Sequence, residues 1–255
     1  MSEHIRVTKK DGVLTLVMDR QEKKNALTDA MYRALTSAIT EAETAPDVRV
    51  VVLRGEGDAF TAGNDIGEFA AVAMGGGPPE GVLRFIQLLG SMKKPLVAGV
   101  QGRAVGIGLT LLLHCDHVIV ADDAQLSAPF VSLALVPEAA SSLLLPARVG
   151  HARAFAVFAL GEVIDASTAV AWGLANRAVP KAELAAAVDA IALRLAKQPL
   201  GAVVATKALM RDPSALGARM AEEGRVFLER LVSAEAREAF MAFAERRAPD
   251  FTKVG

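Results

Sequence analysis

The stretch KPLVAGVQGRAVGIGLTLLL, residues 94–113, carries a buried strand, a tight turn and an apolar helix in direct succession. Its first part, PLVAGV (95–100), is a continuous apolar run of the kind found in strands that are covered on both faces. Gly106 and Gly108 then allow the chain to turn tightly and let another group approach the backbone. The stretch therefore predicts a strand–turn–helix unit of an α/β protein.

The same pattern recurs on both sides of this stretch. VRVVVLRG (48–55) and DHVIVAD (116–122) also show the β-branched character of buried strands. Near the start, KDG (10–12) separates two alternating runs and predicts a hairpin. Thr28 is suited to cap a helix whose apolar residues follow at helical spacing. Strands that alternate with helices indicate an α/β core with crossover connections.

The pattern changes near Gly150, after which nearly every segment has helical spacing. The exception is NRAVP (176–180), which indicates a short strand or loop. We expect an α/β core over residues 1–195 and a helical C-terminal region over residues 196–255. Within the core, MGGGPP (74–79) predicts a mobile loop, because its glycines and prolines cannot continue a helix.

Composition and charge exclude several functional classes. The net charge of −1 argues against a nucleic-acid-binding protein, which would show a basic surface. The single cysteine, Cys115, excludes an intramolecular disulfide and fits a reducing compartment. The polar N-terminus MSEHIRVTKKDG resembles no secretory or transit peptide. Because the longest apolar run is only about half the length of a membrane span, we expect a soluble, cytoplasmic protein that binds no membrane.

Three short motifs could carry chemistry. FTAGNDI (60–66) follows a strand and exposes backbone N–H groups at a helix start, with Asp65 in the first helical turn. By itself it is more typical of a tight turn with a capping Asp. The glycine-bearing turn before LTLLL offers a second set of N–H groups, or simply close helix–strand packing. HCDH (114–117) contains ligand-type residues, but their side chains point in different directions, and we expect no metal site there.

The segment VPEAASS (136–142) places one carboxylate, Glu138, between two apolar runs. A buried, unpaired carboxylate is costly, and burial raises its pKa. One interpretation is an ordinary helix start with Glu138 facing water. The other is a carboxylate positioned to move a proton.

Taken in chain order, these motifs resemble the enoyl-CoA hydratase/isomerase family, also called the crotonase superfamily. The resemblance runs from RQEKKNALTDAM (20–31) through the three motifs and LALVPEAASSLLLPARVG (133–150) to the tail FMAFAERRAPDF (240–251). It implies a spiral of ββα units with a helical C-terminal trimerisation region, assembled as a homotrimer or dimer of trimers. It also implies an acyl-CoA thioester substrate, with coenzyme A as part of that substrate and no separate cofactor.

The resemblance assigns roles within the site. Backbone N–H groups of Ala62 and Ile107 would hold the thioester oxygen, and Glu138 would act as acid and base. The hydratases carry two glutamates at the positions of Thr110 and Phe130, and a hydroxyl and a phenyl ring cannot replace that acid–base pair. The branch with a glutamate in PE-x-x-S contains isomerases that convert 3-enoyl-CoA to 2-enoyl-CoA. We therefore expect an isomerase with one shuttling glutamate.

Further substrate contacts follow from the resemblance, with chain-length preference expected near residues 72–85. The coenzyme would contact Lys23, Lys24, Ala26, Gly63, Asn64, Asp65, Ile66, Phe251 and Lys253. The reacting acyl group would contact Gly106, Thr110, Phe130, Leu133 and Leu135. Two alternatives stay open: a hydratase-type reaction that uses Glu68 or Glu80, and a non-catalytic acyl-CoA-binding or RNA-associated homologue.

Overall fold

A six-stranded sheet lies at the centre of the computed structural model, which describes residues 2–73, 77 and 80–254. The strands found in these residues are β1 (Ile5–Lys10), β2 (Val13–Met18), β3 (Val50–Gly55), β4 (Leu96–Val100), β5 (Arg103–Val105), β6 (His117–Ala121), β7 (Gln125–Ser127), β8 (Ile164–Asp165) and β9 (Arg177–Val179). The large sheet has the order β1-β2-β3-β4-β6-β9, and β5, β7 and β8 form a second sheet. The β1–β2 pair is antiparallel, whereas the remaining pairs of the large sheet are parallel.

Helices fill most of the connections between strands. They are α1 (Asp29–Thr44), α2 (Ile66–Ala73), α3 (Glu80–Ser91), α4 (Ile107–Thr110), α5 (Ser141–Val149), α6 (His151–Ala159), α7 (Ala166–Ala171), α8 (Leu184–Ala196), α9 (Leu200–Leu209), α10 (Pro213–Leu231) and α11 (Ala234–Ala244). Thr28 caps α1 as the sequence predicts, because its hydroxyl accepts a hydrogen bond from the Met31 N–H at 3.3 Å. The hairpin between β1 and β2 turns at Asp11 and Gly12, both with positive φ, which is the backbone that a two-residue hairpin turn requires.

The central strands are covered on both faces. On one face, Val52 of β3 and Val97 of β4 pack with Val188 of α8. On the other face, Leu53 and Ala98 belong to the main apolar core. This double coverage explains why the sequence of β3 and β4 is apolar throughout rather than alternating, and the predicted α/β architecture is confirmed.

The helical C-terminal region is present and packs directly on the core. Helix α10 contacts α3 and α5, and α11 contacts α2 and a short 3-10 turn, Val131–Leu133. The predicted loop at residues 74–79 lies outside the described residues, apart from Gly77. In the part of the chain that is described, no helix is long and apolar enough to cross a membrane. Through α10, the C-terminal region contacts α5, the helix that begins within the VPEAASS segment.

Candidate active site

Glu138 lies in the turn that leads into α5, and only 6% of the residue is exposed. Ala139 and Ala140 follow it with φ angles of 61° and 54°, in the left-handed region. This conformation costs roughly 1–2 kcal/mol for each residue that is not glycine. Contacts from other elements must therefore hold the turn in place, and they determine where the Glu138 carboxylate points.

The Glu138 carboxylate receives one hydrogen bond from the described residues. Thr110 of α4 donates its hydroxyl proton to Glu138 Oε1 over 2.6 Å. Burial raises the pKa of Glu138 to about 8; the Thr110 hydrogen bond opposes this rise and the nearby Glu223 carboxylate adds to it. A carboxyl group whose pKa lies near neutrality can both accept and return a proton at physiological pH.

Two side chains hold the turn that carries Glu138. His114 Nε2 lies 2.7 Å from the Ala139 carbonyl oxygen, and burial lowers the pKa of His114 to about 4. The ring is therefore neutral near pH 7 and donates from Nε2, because a carbonyl can only accept. From the other side, Glu223 of α10 accepts from the Ala140 N–H at 2.6 Å and from the N–H and hydroxyl of Ser142 at 2.9 and 2.5 Å.

Glu138 and Glu223 line the same small cavity, together with Asn64, and its volume is about 30 Å³. Most of the wall is apolar and comes from α2, α3 and α10. The apolar side chains are Phe69, Val82, Leu83, Ile86, Met220, Phe227 and Leu228. The apolar surroundings of Glu138 offer few polar partners to its charged form, which explains why burial dominates the shift of its pKa.

Phe130, Leu133 and Leu135, the three apolar residues predicted to contact the acyl group, are not part of this wall. Phe130 is buried against Phe158 of α6, with ring centroids 6.1 Å apart. The Leu135 N–H donates to the Phe130 carbonyl at 2.9 Å and closes the segment into a turn, and that turn packs against α6 and α11. Leu133 and Leu135 thus join the general apolar core. None of the three lines the Glu138 cavity, and their contact with the acyl group stays a prediction.

The FTAGND loop before α2 and the turn before α4 meet beside this cavity. The Thr61 N–H donates to the Arg103 carbonyl, and the Val105 N–H donates to the Thr61 carbonyl, both at 3.0 Å. Gly63 has a φ of 92°, and a Cβ atom on it would lie 2.8 Å from the Val105 carbonyl oxygen. Only glycine fits such a position without strain, so the two loops pack main chain to main chain.

One of the two predicted N–H donors is corrected by this packing. The Ala62 N–H donates to the Lys24 carbonyl at 2.8 Å and is not free to bind a substrate. Two positions further, the Asn64 N–H has no acceptor among residues 2–73, 77 and 80–254, and Asn64 lines the cavity. The Ile107 N–H, at the start of α4, also lacks an acceptor within those ranges. The available pair is therefore Asn64 and Ile107.

The Asn64 side chain is bound to a residue of α1 and is not the predicted donor group. Its amide oxygen accepts a hydrogen bond from the Tyr32 hydroxyl. Burial raises the pKa of Tyr32 well above its usual value, with Glu138 and Glu68 adding to the rise, so the phenol stays protonated and can donate. The side chain is thereby fixed on α1, while the Asn64 N–H has no acceptor in the described part of the chain.

Comparison with known proteins identifies the family of this chain. The family model described as enoyl-CoA hydratase/isomerase matches residues 8–254. The chain belongs to the enoyl-CoA hydratase/isomerase family. It is 37% identical over 262 residues to a probable enoyl-CoA hydratase from Rhodobacter capsulatus, with 99% of each chain covered.

Another relative and a solved structure extend this comparison. The chain is 34% identical over 255 residues to enoyl-CoA delta isomerase 2 from Rattus norvegicus, covering 96% of this chain and 64% of that relative. A crystal structure of an enoyl-CoA hydratase/isomerase from Pseudoalteromonas atlantica matches with a TM-score of 0.92 at 39% identity, covering 98% of this chain and all of that one (100%). Because hydratases and isomerases both appear among the relatives, the site itself must distinguish the two reactions.

The segment that the family resemblance links to coenzyme A runs beside the FTAGND loop. The Leu27 N–H donates to the Gly63 carbonyl at 2.8 Å, and the Asp65 N–H donates to the Leu27 carbonyl at 2.9 Å. This pairing brings the predicted coenzyme contacts of both segments together: Lys23, Lys24 and Ala26 with Gly63, Asn64, Asp65 and Ile66. Their contact with coenzyme A stays a prediction.

Asp65 already has structural partners. Its carboxylate accepts from Arg20 Nη1 at 2.7 Å and caps α2 by accepting from the N–H groups of Gly67 and Glu68. Such an ion pair and helix cap fix the FTAGND loop relative to residue 20. Asp65 therefore supports the loop whether or not it also contacts the coenzyme.

The remaining predicted contacts lie in the turn before α4 and near the C-terminal end of the described chain. Gly106, with a φ of 58°, forms the turn that precedes Ile107. Phe251 and Lys253 lie in a terminal 3-10 turn, where Lys253 pairs with Asp250 at 2.7 Å. Neither tail residue lines the Glu138 cavity, and their role toward the coenzyme stays a prediction.

The two carboxylates considered for a hydratase-type reaction are engaged outside the cavity. Glu68 is exposed and accepts a hydrogen bond from the Asp29 N–H at 2.7 Å. The Glu80 side chain is 57% exposed and lies 3.7 Å from Arg84 on the same helix. Neither residue is part of the wall around Glu138.

Glu223 is the residue that the sequence could have revealed and did not. It occupies the apolar face of α10, among Leu216, Met220, Phe227 and Leu231. A carboxylate at a helical position that should be buried is the same signal that drew attention to Glu138. Its partners could not be read from the chain, because Ala140 and Ser142 lie about eighty residues away.

Proposed function

We propose that this chain converts a 3-enoyl-CoA into a 2-trans-enoyl-CoA. The observation that carries this proposal is the state of Glu138. It is a buried carboxylate on an apolar cavity with a pKa of about 8, and the part of the chain that the structure describes gives it one hydrogen bond, from Thr110. A double-bond shift needs one group that removes a proton and returns it elsewhere. One carboxylate that titrates near neutrality is sufficient for this task.

The proposed reaction proceeds through a dienolate. Ionised Glu138 removes a proton from C2, and the C–H electron pair moves toward the thioester oxygen. The oxygen then re-forms the carbonyl bond, the C1–C2 π pair of the dienolate becomes the C2–C3 double bond, and the former C3–C4 π pair takes the proton back from Glu138 at C4. Atoms and charges balance without water, metal or a separate cofactor, and the apolar wall protects the intermediate from solvent.

The thioester oxygen would lie between the N–H groups of Asn64 and Ile107. These donors are fixed in advance by the packing of the two loops, so they need no reorganisation when charge develops on the oxygen. Removing one such donor typically costs about 3–4 kcal/mol in transition-state stabilisation. Because both are main-chain groups, the asparagine and isoleucine side chains do not affect their donor strength directly.

Hydration of a 2-enoyl-CoA is the second candidate. It is favoured by the presence of Glu223 on the same cavity as Glu138, since water addition commonly uses two carboxylates. However, three donors already engage both oxygens of Glu223. Thr110 and Phe130 occupy the two positions at which family hydratases carry glutamates. The geometry therefore supports one active carboxylate rather than a pair.

The test measures both reactions with the full-length protein. Purified wild type is given a 3-enoyl-CoA and, separately, a 2-trans-enoyl-CoA, and the products are identified by mass. We expect formation of the 2-enoyl isomer from the first substrate and little gain of water by the second. Glu138→Gln should abolish the first reaction, whereas Glu68→Gln, the matched change at an exposed carboxylate, should preserve it.

The outcomes separate the candidate functions. Efficient addition of water to the 2-enoyl-CoA, with no isomerisation of the 3-enoyl-CoA, would replace the isomerase by the hydratase. Binding of both thioesters without turnover would indicate a non-catalytic homologue. Full isomerase activity in Glu138→Gln would remove Glu138 from the mechanism.

A further inference from the structure

Glu223 is the one charged residue among the five buried positions of α10. Its neighbours on that face, such as Met220 and Phe227, are apolar and line the Glu138 cavity. A carboxylate in this environment is costly unless donors compensate for the lost hydration. The contacts of Glu223 therefore show why it is buried at this point.

Three donors converge on Glu223 from the first turn of α5. The Ala140 N–H donates to Oε2 at 2.6 Å, while the N–H and hydroxyl of Ser142 donate to Oε1 at 2.9 and 2.5 Å. Ala140 is the N-cap residue of α5 and has no side-chain oxygen with which to cap it. Glu223 therefore caps α5 from another helix, and its charge lies at the positive end of the α5 dipole.

The capped turn carries Glu138. Ala139 and Ala140 both adopt left-handed backbone conformations, which alanine rarely occupies unless its surroundings enforce them. His114 fixes the Ala139 carbonyl on one side, and Glu223 fixes the Ala140 N–H on the other. Without the Glu223 contacts, the turn could relax from its left-handed conformation, and the orientation of the Glu138 carboxylate would change.

We propose that Glu223 is a positioning residue for the Glu138 proton shuttle, which holds the left-handed turn from α10 and keeps a negative charge beside the Glu138 carboxylate. This inference rests on the proposed function, because it assigns Glu223 to the same reaction. It also gives the helical C-terminal region a direct part in the site.

The charge of Glu223 is expected to affect the titration of Glu138. Glu223 raises the pKa of Glu138, in the same direction as burial, while the Thr110 hydroxyl lowers it. Two other titratable groups face this region from α1 and from the turn after α4. Tyr32 and His114 are both neutral near pH 7, because burial raises the pKa of Tyr32 and lowers that of His114 to about 4.

Two more charges act on the neighbours of Glu138. Glu68 of α2 raises the pKa of Tyr32 further. Burial raises the pKa of Glu223, and the hydrogen bonds from Ser142 and Ala140 and the charge of Arg219 on α10 oppose that rise. These groups stay unchanged in a variant at position 223. A variant at position 223 therefore changes only the Glu223 group itself, that is, its charge and its hydrogen bonds to the start of α5.

The experiment compares Glu223→Gln with Glu223→Asp. Gln preserves the shape and removes the charge; Asp preserves the charge and shortens the reach to α5. For Gln, the midpoint of the Glu138 titration should fall, because the Glu223 charge raises the pKa of Glu138. For Asp, the midpoint should stay near the wild-type value while kcat falls by about tenfold or more with KM little changed.

The Glu138 titration is measured without turnover. The infrared C=O band of the protonated carboxyl, identified as the band that Glu138→Gln removes, is followed from pH 5 to 10 in wild type and each variant. The pH dependence of isomerisation is recorded in parallel. Glu238→Gln is the matched control, because Glu238 is also buried in the C-terminal region but binds Arg247 and the Asp250 N–H instead of α5.

A shifted midpoint in Glu223→Gln, with none in Glu238→Gln, supports the proposal. An unchanged midpoint in Glu223→Gln would overturn it, and so would wild-type kcat in Glu223→Asp. If Glu223→Gln does not fold, the Asp variant alone decides the positioning role. If wild type shows no isomerisation but the infrared midpoint shifts as expected, the proposed function fails while the coupling between Glu223 and Glu138 stands.

Discussion

Glu138 and Glu223 are two buried carboxylates on the wall of one cavity, and the protein surrounds them differently. Within residues 2–73, 77 and 80–254, Glu138 receives a single hydrogen bond, from the Thr110 hydroxyl. Glu223 receives three, two of them from main-chain N–H groups at the start of α5. Burial raises the pKa of both groups. The difference between them lies in how far hydrogen bonds offset that burial.

This contrast separates a structural carboxylate from a chemical one. Donors that converge on an ionised carboxylate stabilise its charge, and a proton on it would disrupt them. A carboxylate with one flexible hydroxyl partner can gain and lose a proton without breaking a network, since a hydroxyl both donates and accepts. On this basis Glu138 is suited to proton transfer, and Glu223 is suited to hold the turn that directs it.

The largest effect should come from removing the carboxylate that moves the proton. Glu138→Gln keeps the Thr110 hydrogen bond but cannot accept a proton, so kcat/KM for 3-enoyl-CoA isomerisation should fall by about 10³-fold. Glu223→Gln, an identical change on the same cavity, should retain much more activity. Steady-state kinetics on both variants measure the contrast, and equal losses would erase the distinction between the two residues.

The second prediction concerns the pH dependence of wild type. Glu138 must be ionised to remove the C2 proton, and its pKa is raised to about 8. Activity should therefore increase with pH and level off above about pH 8, with kcat/KM falling by about tenfold for each pH unit below that point. Rate measurements from pH 6 to 9 test this, with enzyme integrity checked at each pH. A flat profile across this range would show that Glu138 does not titrate as the base.

The fold was predictable from the sequence to a useful extent, because its main signals are local. The β3 and β4 strands are continuous apolar runs, and Asp11-Gly12 has the composition of a hairpin turn. Such patterns depend on neighbours within a few residues. The structure places these strands within about two residues of the predicted segments.

The site was less predictable because its decisive contacts are distant in the chain. Ala62 and Asn64 both belong to the same short loop, and only the pairing of that loop with residues 24–27 shows which N–H is engaged. Likewise, nothing near Glu138 in the sequence indicates that Glu223 would cap its helix. Local patterns identified the groups that could react, whereas tertiary packing determined which of them are available.

Replacing each carboxylate by an amide should change the melting temperature at pH 9 in opposite directions. The pKa of Glu138 is about 8 in the folded protein, against an ordinary value of 4.5. Between these values the folded state holds a proton that the unfolded state has lost, so the free energy of unfolding falls as pH rises through this window. Glu138→Gln removes this penalty. Its melting temperature should exceed that of wild type at pH 9 and match it near pH 5.

Glu223→Gln is the matched comparison in the same melting experiment. It replaces one of the two oxygens that accept from these donors with an amide NH₂ group, which leaves at least one donor without an acceptor, so it should lower the melting temperature even at pH 9. Differential scanning calorimetry on the three proteins gives the signs directly. A destabilised Glu138→Gln at pH 9 would show that the Glu138 charge is better compensated than its single hydrogen bond indicates.

The smallest effect should come from the hydroxyl groups that serve each carboxylate. Thr110→Val removes the only hydrogen bond that the described residues give Glu138, and that bond lowers its pKa. The acid limb of the pH–rate profile should therefore move to higher pH, with activity at pH 7 reduced several-fold. Ser142→Ala removes one of three donors from Glu223 and leaves both main-chain bonds in place. Since both main-chain bonds remain, Ser142→Ala should leave the acid limb close to its wild-type position. An equal shift of the acid limb in both variants would mean that the number of donors does not set the difference between the two carboxylates.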